Sequence, residues 1–216
     1  MSLSRTRSGL AVALLALCGG ARAGHALPVI SEVFYDASGS DDGHSFVELF
    51  AAAGSVLDGL TLEGVNGAGG AVGPVVALSG VVGADGLFVV ADATGIGSSF
   101  VSHFDLLANF DFQNGPDSIV LRSPAAVLDA VGYGSFGAGD VFAGEGNAAP
   151  DAPAGSSLAR RFADLDSDDN AFDFAVLASP TPGTAEWALP EPAPALMLGG
   201  GLAGLLAWSR RRERRA

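Results

Sequence analysis

Between residues 28 and 184 no apolar run keeps a helical period long enough to build a helix of ordinary length. The apolar stretches are short, rich in Val, Ile, Leu and Phe, and each ends at Gly, Asn, Asp or Pro. Candidate strands are 29–35 (VISEVFY), 46–50 (FVELF), 60–62 (LTL), 74–78, 86–91 (GLFVVA), 118–122 (SIVLR), 127–133 (VLDAVGY), 156–162 (SSLARRF) and 172–176. Turn signals stand between them at Asn66-Gly67, Asp85-Gly86 and Asn114-Gly115-Pro116-Asp117. Short strands with polar turns and no long helix predict an all-β chain, an antiparallel β-sandwich. The 31 glycines are spread along the chain without a solenoid period. Residues 67–73 (GAGGAVG) loosely resemble a phosphate-cradling loop, but no helix follows them.

Charge narrows the partners. The chain holds 11 arginines, no lysine and 24 acidic residues, for a net charge of −13. Eight of the arginines lie at the two ends. Residues 28–189 keep only Arg122, Arg160 and Arg161 against 22 acids, a formal charge of −19. Such a surface repels phosphate backbones and excludes nucleic acid as an ordinary partner. The single cysteine, Cys18, precedes this region, which therefore has no disulfide, thiolate metal site or cysteine nucleophile.

The ends read as targeting segments. Arg5 and Arg7 precede the apolar run 9–18, which is too short to span a bilayer, and Ala21-Arg22-Ala23 follows as an A-x-A cleavage site. This predicts a signal peptide over 1–23, cut after residue 23 or, at Gly24-His25-Ala26, after residue 26. Lipidation at Cys18 is disfavoured because Leu17, just before it, is bulky. At the other end, residues 185–192 form a linker ending in Pro190-Glu191-Pro192. Residues 193–208 (APALMLGGGLAGLLAW) carry no charge, and 209–216 hold Arg210, Arg211, Arg212, Arg214 and Arg215. Sixteen helical residues span about 24 Å, marginal against a hydrocarbon core of about 30 Å. The arginine cluster places that end on the cytoplasmic side. Gly200 and Gly204 have G-x-x-x-G spacing, which glycine abundance alone accounts for.

These three parts in order resemble the PEP-CTERM sorting signal of Gram-negative bacteria. That resemblance implies an exosortase-type processing enzyme as partner and a transient stay in the inner membrane. It further implies an inner-membrane anchored precursor, then a product in the cell envelope or outside the cell, with exopolysaccharide nearby.

The body resembles the lamin-tail domain. Residues 29–35 and 46–50 match its opening, I-S-E-V-x-Y and F-V-E-L-Y-N. Residues 58–62 (DGLTL), 86–90, 115–121 (GPDSIVL) and 127–133 follow in its order, then 155–160, 164–170 and 174–183. Ala51 and Leu60 depart from its Asn and Trp. The resemblance covers about 28–184 and implies an immunoglobulin-like sandwich.

Candidate chemistry is sparse. His25, His44 and His103 have no G-x-S-x-G and no metal spacing around them. Glu32 and Glu48 form the best acid pair for glycoside hydrolysis, but acids on strands also bond backbone or pair with Arg160 or Arg161. Asp164, Asp166 and Asp168 alternate as calcium ligands do, although Asp169 and Ala175 fill the places of an EF-hand's Gly and Glu. The competing reading is a solvated acidic loop. Asp36, Asp41 and Asp42 form a second, weaker cluster. No other cofactor is expected. The chain is expected to be a non-enzyme, an exported structural or binding protein. The alternatives are a calcium-dependent polysaccharide-binding module and a hydrolase accessory.

Overall fold

The computed structural model describes residues 27–184. Ten strands form two sheets, with one short helix. They are β1 Val29–Phe34, β2 Phe46–Phe50, β3 Thr61–Asn66, β4 Val72–Ala77, β5 Leu87–Asp92, β6 Leu106–Ala108, β7 Asp117–Arg122, β8 Val127–Tyr133 and β9 Ser157–Arg160, then α1 Asn170–Asp173 and β10 Phe174–Leu177. The first sheet runs β10-β9-β1-β2-β5-β6 and the second β4-β3-β7-β8. Among the described residues no helix is long and apolar enough to cross a membrane. The expected signal peptide, Pro-Glu-Pro motif, apolar segment and arginine tail lie outside the described residues.

The two sheets share one core. Ile30, Val33, Leu49 and Val90 of the first pack against Leu62, Ile119, Leu121 and Val131 of the second. Tyr35 and Tyr133 stack inside it, ring centroids 4.2 Å apart. The β2 sequence alternates cleanly, sending Val47 and Leu49 to the core and Phe46 and Glu48 outward. In β1 strict alternation fails, since Ile30 and Val33 both reach the core. A register shift between Ile30 and Glu32 absorbs the extra residue, as a β-bulge does.

The outer face of the first sheet is also covered, which is why β5 (LFVVAD) is buried throughout. Two segments cover it. The β5–β6 connection sends Val101 onto Phe46, Val89 and Ala91. The strap 178–184 crosses β1 and β2, bonding Glu32 through Thr181 and Glu48 through Gly183.

Two expectations need correction. The sheets are not wholly antiparallel, because β6 pairs parallel to β5. β6 also falls outside the candidate strands, being three residues long with no turn residue to announce it. Phe172 belongs to α1 rather than to a strand, because Asp169 caps that helical turn and accepts the Ala171 N–H.

Candidate functional site

Three groups of polar side chains stand out. The first is the acid pair of the outer face. Glu32 and Glu48 are register partners on β1 and β2, and both are buried. Each is supplied with donors. Glu32 accepts the Ser157 hydroxyl (2.5 Å) and the Thr181 N–H (3.0 Å) and hydroxyl (2.8 Å). Glu48 accepts the Ser31 hydroxyl (2.8 Å) and the Gly183 N–H (2.8 Å). Burial pushes Glu48 up to about 7; bonds from Ser31 and Gly183 pull it back, and the neighbouring charge of Glu32 adds to the rise. Both carboxyls bind the strap, Glu32 through Thr181 and Glu48 through Gly183.

The second group centres on Arg160, whose side chain is 0% exposed. All three of its nitrogens find oxygen. Nε donates to the Ile30 carbonyl (2.7 Å), Nη1 to the Leu165 carbonyl (2.6 Å) and Asp173 (3.0 Å), and Nη2 to both oxygens of Asp129 (2.7 and 2.8 Å). The guanidinium also lies 4.7 Å over the Phe174 ring. The sequence offered Arg160 as a partner for Glu32 or Glu48. Its donors are instead directed to the core side of β9, towards Asp129 and Asp173. Arg161 donates to the Phe172 carbonyl (2.9 Å).

The acidic run joins this second group. Asn170 bonds the N–H groups of Gly132 and Glu145 and the Ala130 carbonyl. Asp173 accepts from Arg160 and from Ser167. Asp169 caps α1 and bonds Asn147, whose side-chain donor holds its carboxyl below the usual range. Asn170 therefore ties the end of this run to β8, which composition could not reveal. Asp164 and Asp168 are exposed, and Asp168 takes a left-handed φ of 55°. The expected calcium trio does not converge. Among the described residues the three-carboxylate group is Asp129, Glu145 and Asp166, with ligand atoms within 4.8 Å of one another. Oxygen ligands at that spacing suit a hard cation, but Arg160 already serves Asp129 and approaches Asp166 (3.6 Å).

Glu145 Oε2 is shut from solvent and meets no donor. Burial and then the charges of Asp129 and Asp166 push Glu145 up to about 8. The contact is satisfied when Glu145 keeps its proton and offers it to Asp129.

The third group lines a cleft of about 290 Å³ formed by Ser40, Asp41, Asp42, Asp92, Asn109, Phe110 and Asp111. Asp92 is spent on the Gly43 and Phe110 N–H groups, and Asp41 on Ala37. Asp111 is raised by burial and by Asp41 and Asp92. Asp36 is likewise raised, by burial and then by Asp41, but does not line the cleft. His44 stacks on Phe100 (4.4 Å) and His103 lies on the β5–β6 connection, far apart in role from the acid pair. Neither tyrosine is open to a ligand, Tyr35 being 1% and Tyr133 0% exposed. An apolar hollow of about 250 Å³ lies against β9 and β10, between Arg161, Phe162, Ala175 and Leu177.

Compared with protein families, with curated proteins and with solved structures, the chain finds no match in any of the three.

Proposed function

We propose that this is a non-catalytic exported protein whose sandwich is cargo, delivered to the cell envelope or extracellular matrix by the sorting tail. The observation that carries this reading is the strap. Thr181 and Gly183 close onto Glu32 and Glu48, so the described sandwich is closed by its own residues up to Thr184, and all three parts of the tail lie beyond it in sequence. The same bonds use up the acid pair that would otherwise have suggested glycoside hydrolysis. The order of the lamin-tail-like motifs, together with two facing sheets, supports an immunoglobulin-like body.

In this reading Pro190, Glu191 and Pro192 are recognised by an exosortase-type enzyme, residues 193–208 stop transfer in the inner membrane, and Arg210 to Arg215 fix the topology. The test is truncation after Glu186 in an exporting host. The shortened protein should appear in the soluble fraction, and full retention with the membrane would refute the reading.

A second reading, a calcium-dependent polysaccharide-binding module, is favoured by the convergence of Asp129, Glu145 and Asp166. It requires glycan binding that disappears with chelator. An unchanged melting temperature with and without millimolar Ca²⁺ removes it.

A further inference from the structure

The β5–β6 connection turns large apolar side chains to solvent. Ile96 is 92% exposed, Phe100 69% and Phe104 42%. The segment is nevertheless fixed. Val101 is buried against Phe46, Val89 and Ala91. The Phe100 N–H donates to the Gly43 carbonyl (2.8 Å) and its ring stacks on His44. Before Phe100, the Thr94 N–H donates to the Ser98 carbonyl (2.7 Å), closing the turn that carries Ile96. The loop thus presents three large apolar side chains to solvent within nine residues while its backbone is hydrogen-bonded to the body, which makes it a candidate contact surface.

Where the strap ends decides the occupant. A Cβ built on Gly183 would stand 3.4 Å from the His103 Cβ. The described chain therefore leaves the sandwich beside this loop, at exposed Thr184. Eight residues, 185–192, then separate it from the apolar segment, a reach of about 28 Å at full extension. A body of this size has a radius of gyration of about 15 Å and is roughly 40 Å across. The tether is shorter than the body is wide. With the tail inserted, the far side cannot turn to the bilayer, and the loop side is held nearest to it. Residues 93–105 contain no arginine, and Asp105, Asp41 and Asp42 lie on or near them. Attraction to anionic headgroups is therefore absent, and the contact must be apolar.

We propose that the 93–105 connection is a bilayer-contact surface, seating Ile96, Phe100 and Phe104 in the interface of a zwitterionic membrane while the tail tethers the body. This rests on the sorting-tail reading and goes beyond it, because a stop-transfer helix alone would leave the body free of the lipid.

The test uses the full chain in phosphatidylcholine vesicles, with Cys18→Ser and Trp187→Phe. Trp208 then reports the tail, and a fluorophore on Ile96→Cys reports the loop. A fluorophore on Val75→Cys in β4 reports the opposite sheet. With lipids brominated along the acyl chain near the interface, Trp208 and residue 96 should each lose more than half their emission and residue 75 should not change. Added phosphatidylglycerol should weaken the effect at residue 96. Quenching at Trp208 without quenching at residue 96 overturns the inference and leaves the tail reading intact. No quenching at Trp208 sinks both. Disulfide linkage between two copies of the unlabelled Ile96→Cys chain, when the labelled chain shows no quenching at residue 96, assigns the surface to self-association and also overturns the proposal.

Discussion

Glu48 places an ionisable group where water cannot reach it, and the consequence is measurable. Its carboxyl, pushed up from 4.5 to about 7, holds a proton more tightly in the folded chain than in the unfolded one. Stability from this group is therefore greatest below about pH 4.5, falls as pH rises towards 7, and levels off above it. The full shift is worth on the order of 3 kcal/mol. Glu145 extends the fall towards pH 8 with the same sign. Melting temperature should drop between about pH 5 and pH 8, and Glu48→Gln should reduce that slope; a Gln variant as steep as the parent would remove Glu48 as the cause. Arg160 shows the opposite economy. Its charge is buried but each of its nitrogens is matched, so removal leaves Asp129 and Asp173 uncompensated. Arg160→Met should cost about 3–5 kcal/mol in denaturant unfolding. Arg160→Lys should recover little, because a lysine cannot span carbonyls and carboxylates on opposite sides of a planar fork.

At the level of elements, period-two alternation was enough to place most strands, and the residues that broke it were the informative ones. β2 was fully legible. β1 was legible as a strand but not in its facing, because a bulge depends on the partner strand and has no signature in VISEVF. β6 was illegible, since Leu106–Ala108 is held by pairing to β5 rather than by its own preference. The acid pair could be named from the sequence; the strap that covers it could not, because contacts spanning 149 residues leave no local pattern. Arg160 was visible only as a charge on a strand. Chain ends cut at Thr184 and at Pro180 should differ sharply. Loss of 181–184 removes Thr181 and Gly183 and exposes two facing carboxyls, so that form should melt lower and show faster amide exchange along β1 and β2. Gly144→Ala should also destabilise. A Cβ there would strike the Gly132 backbone N and, at 2.5 Å, Asn170 Oδ1, the very atom that ties this loop to β8.

For the molecule as a whole, the charge of the body does the work of keeping it apart from its like and from polyanions. The ion pairs of Arg160 with Asp129 and Asp173 are buried, where added salt screens little, whereas Arg122–Glu63 is partly exposed. Salt also screens the self-repulsion of a body with a formal charge of −19, so melting temperature should rise between low and physiological ionic strength; a fall would show that the exposed pair outweighs the repulsion. If the proposed export holds, the mature mass should equal that of a chain beginning at residue 24 or 27, and the same measurement reports any cut near Pro190; a mass that still includes residues 1–23 would sink the signal-peptide reading. The strap also imposes an order in time. A chain emerges from the ribosome with its first strands ahead, yet those strands are finished only by residues about 150 positions later. Through most of its passage the leading edge stays half-dressed, its acids bare and β1 without one neighbour. Final closure must wait until residues 181–184 have been made and released, so maturation of the globule is timed by the end of synthesis rather than by its start.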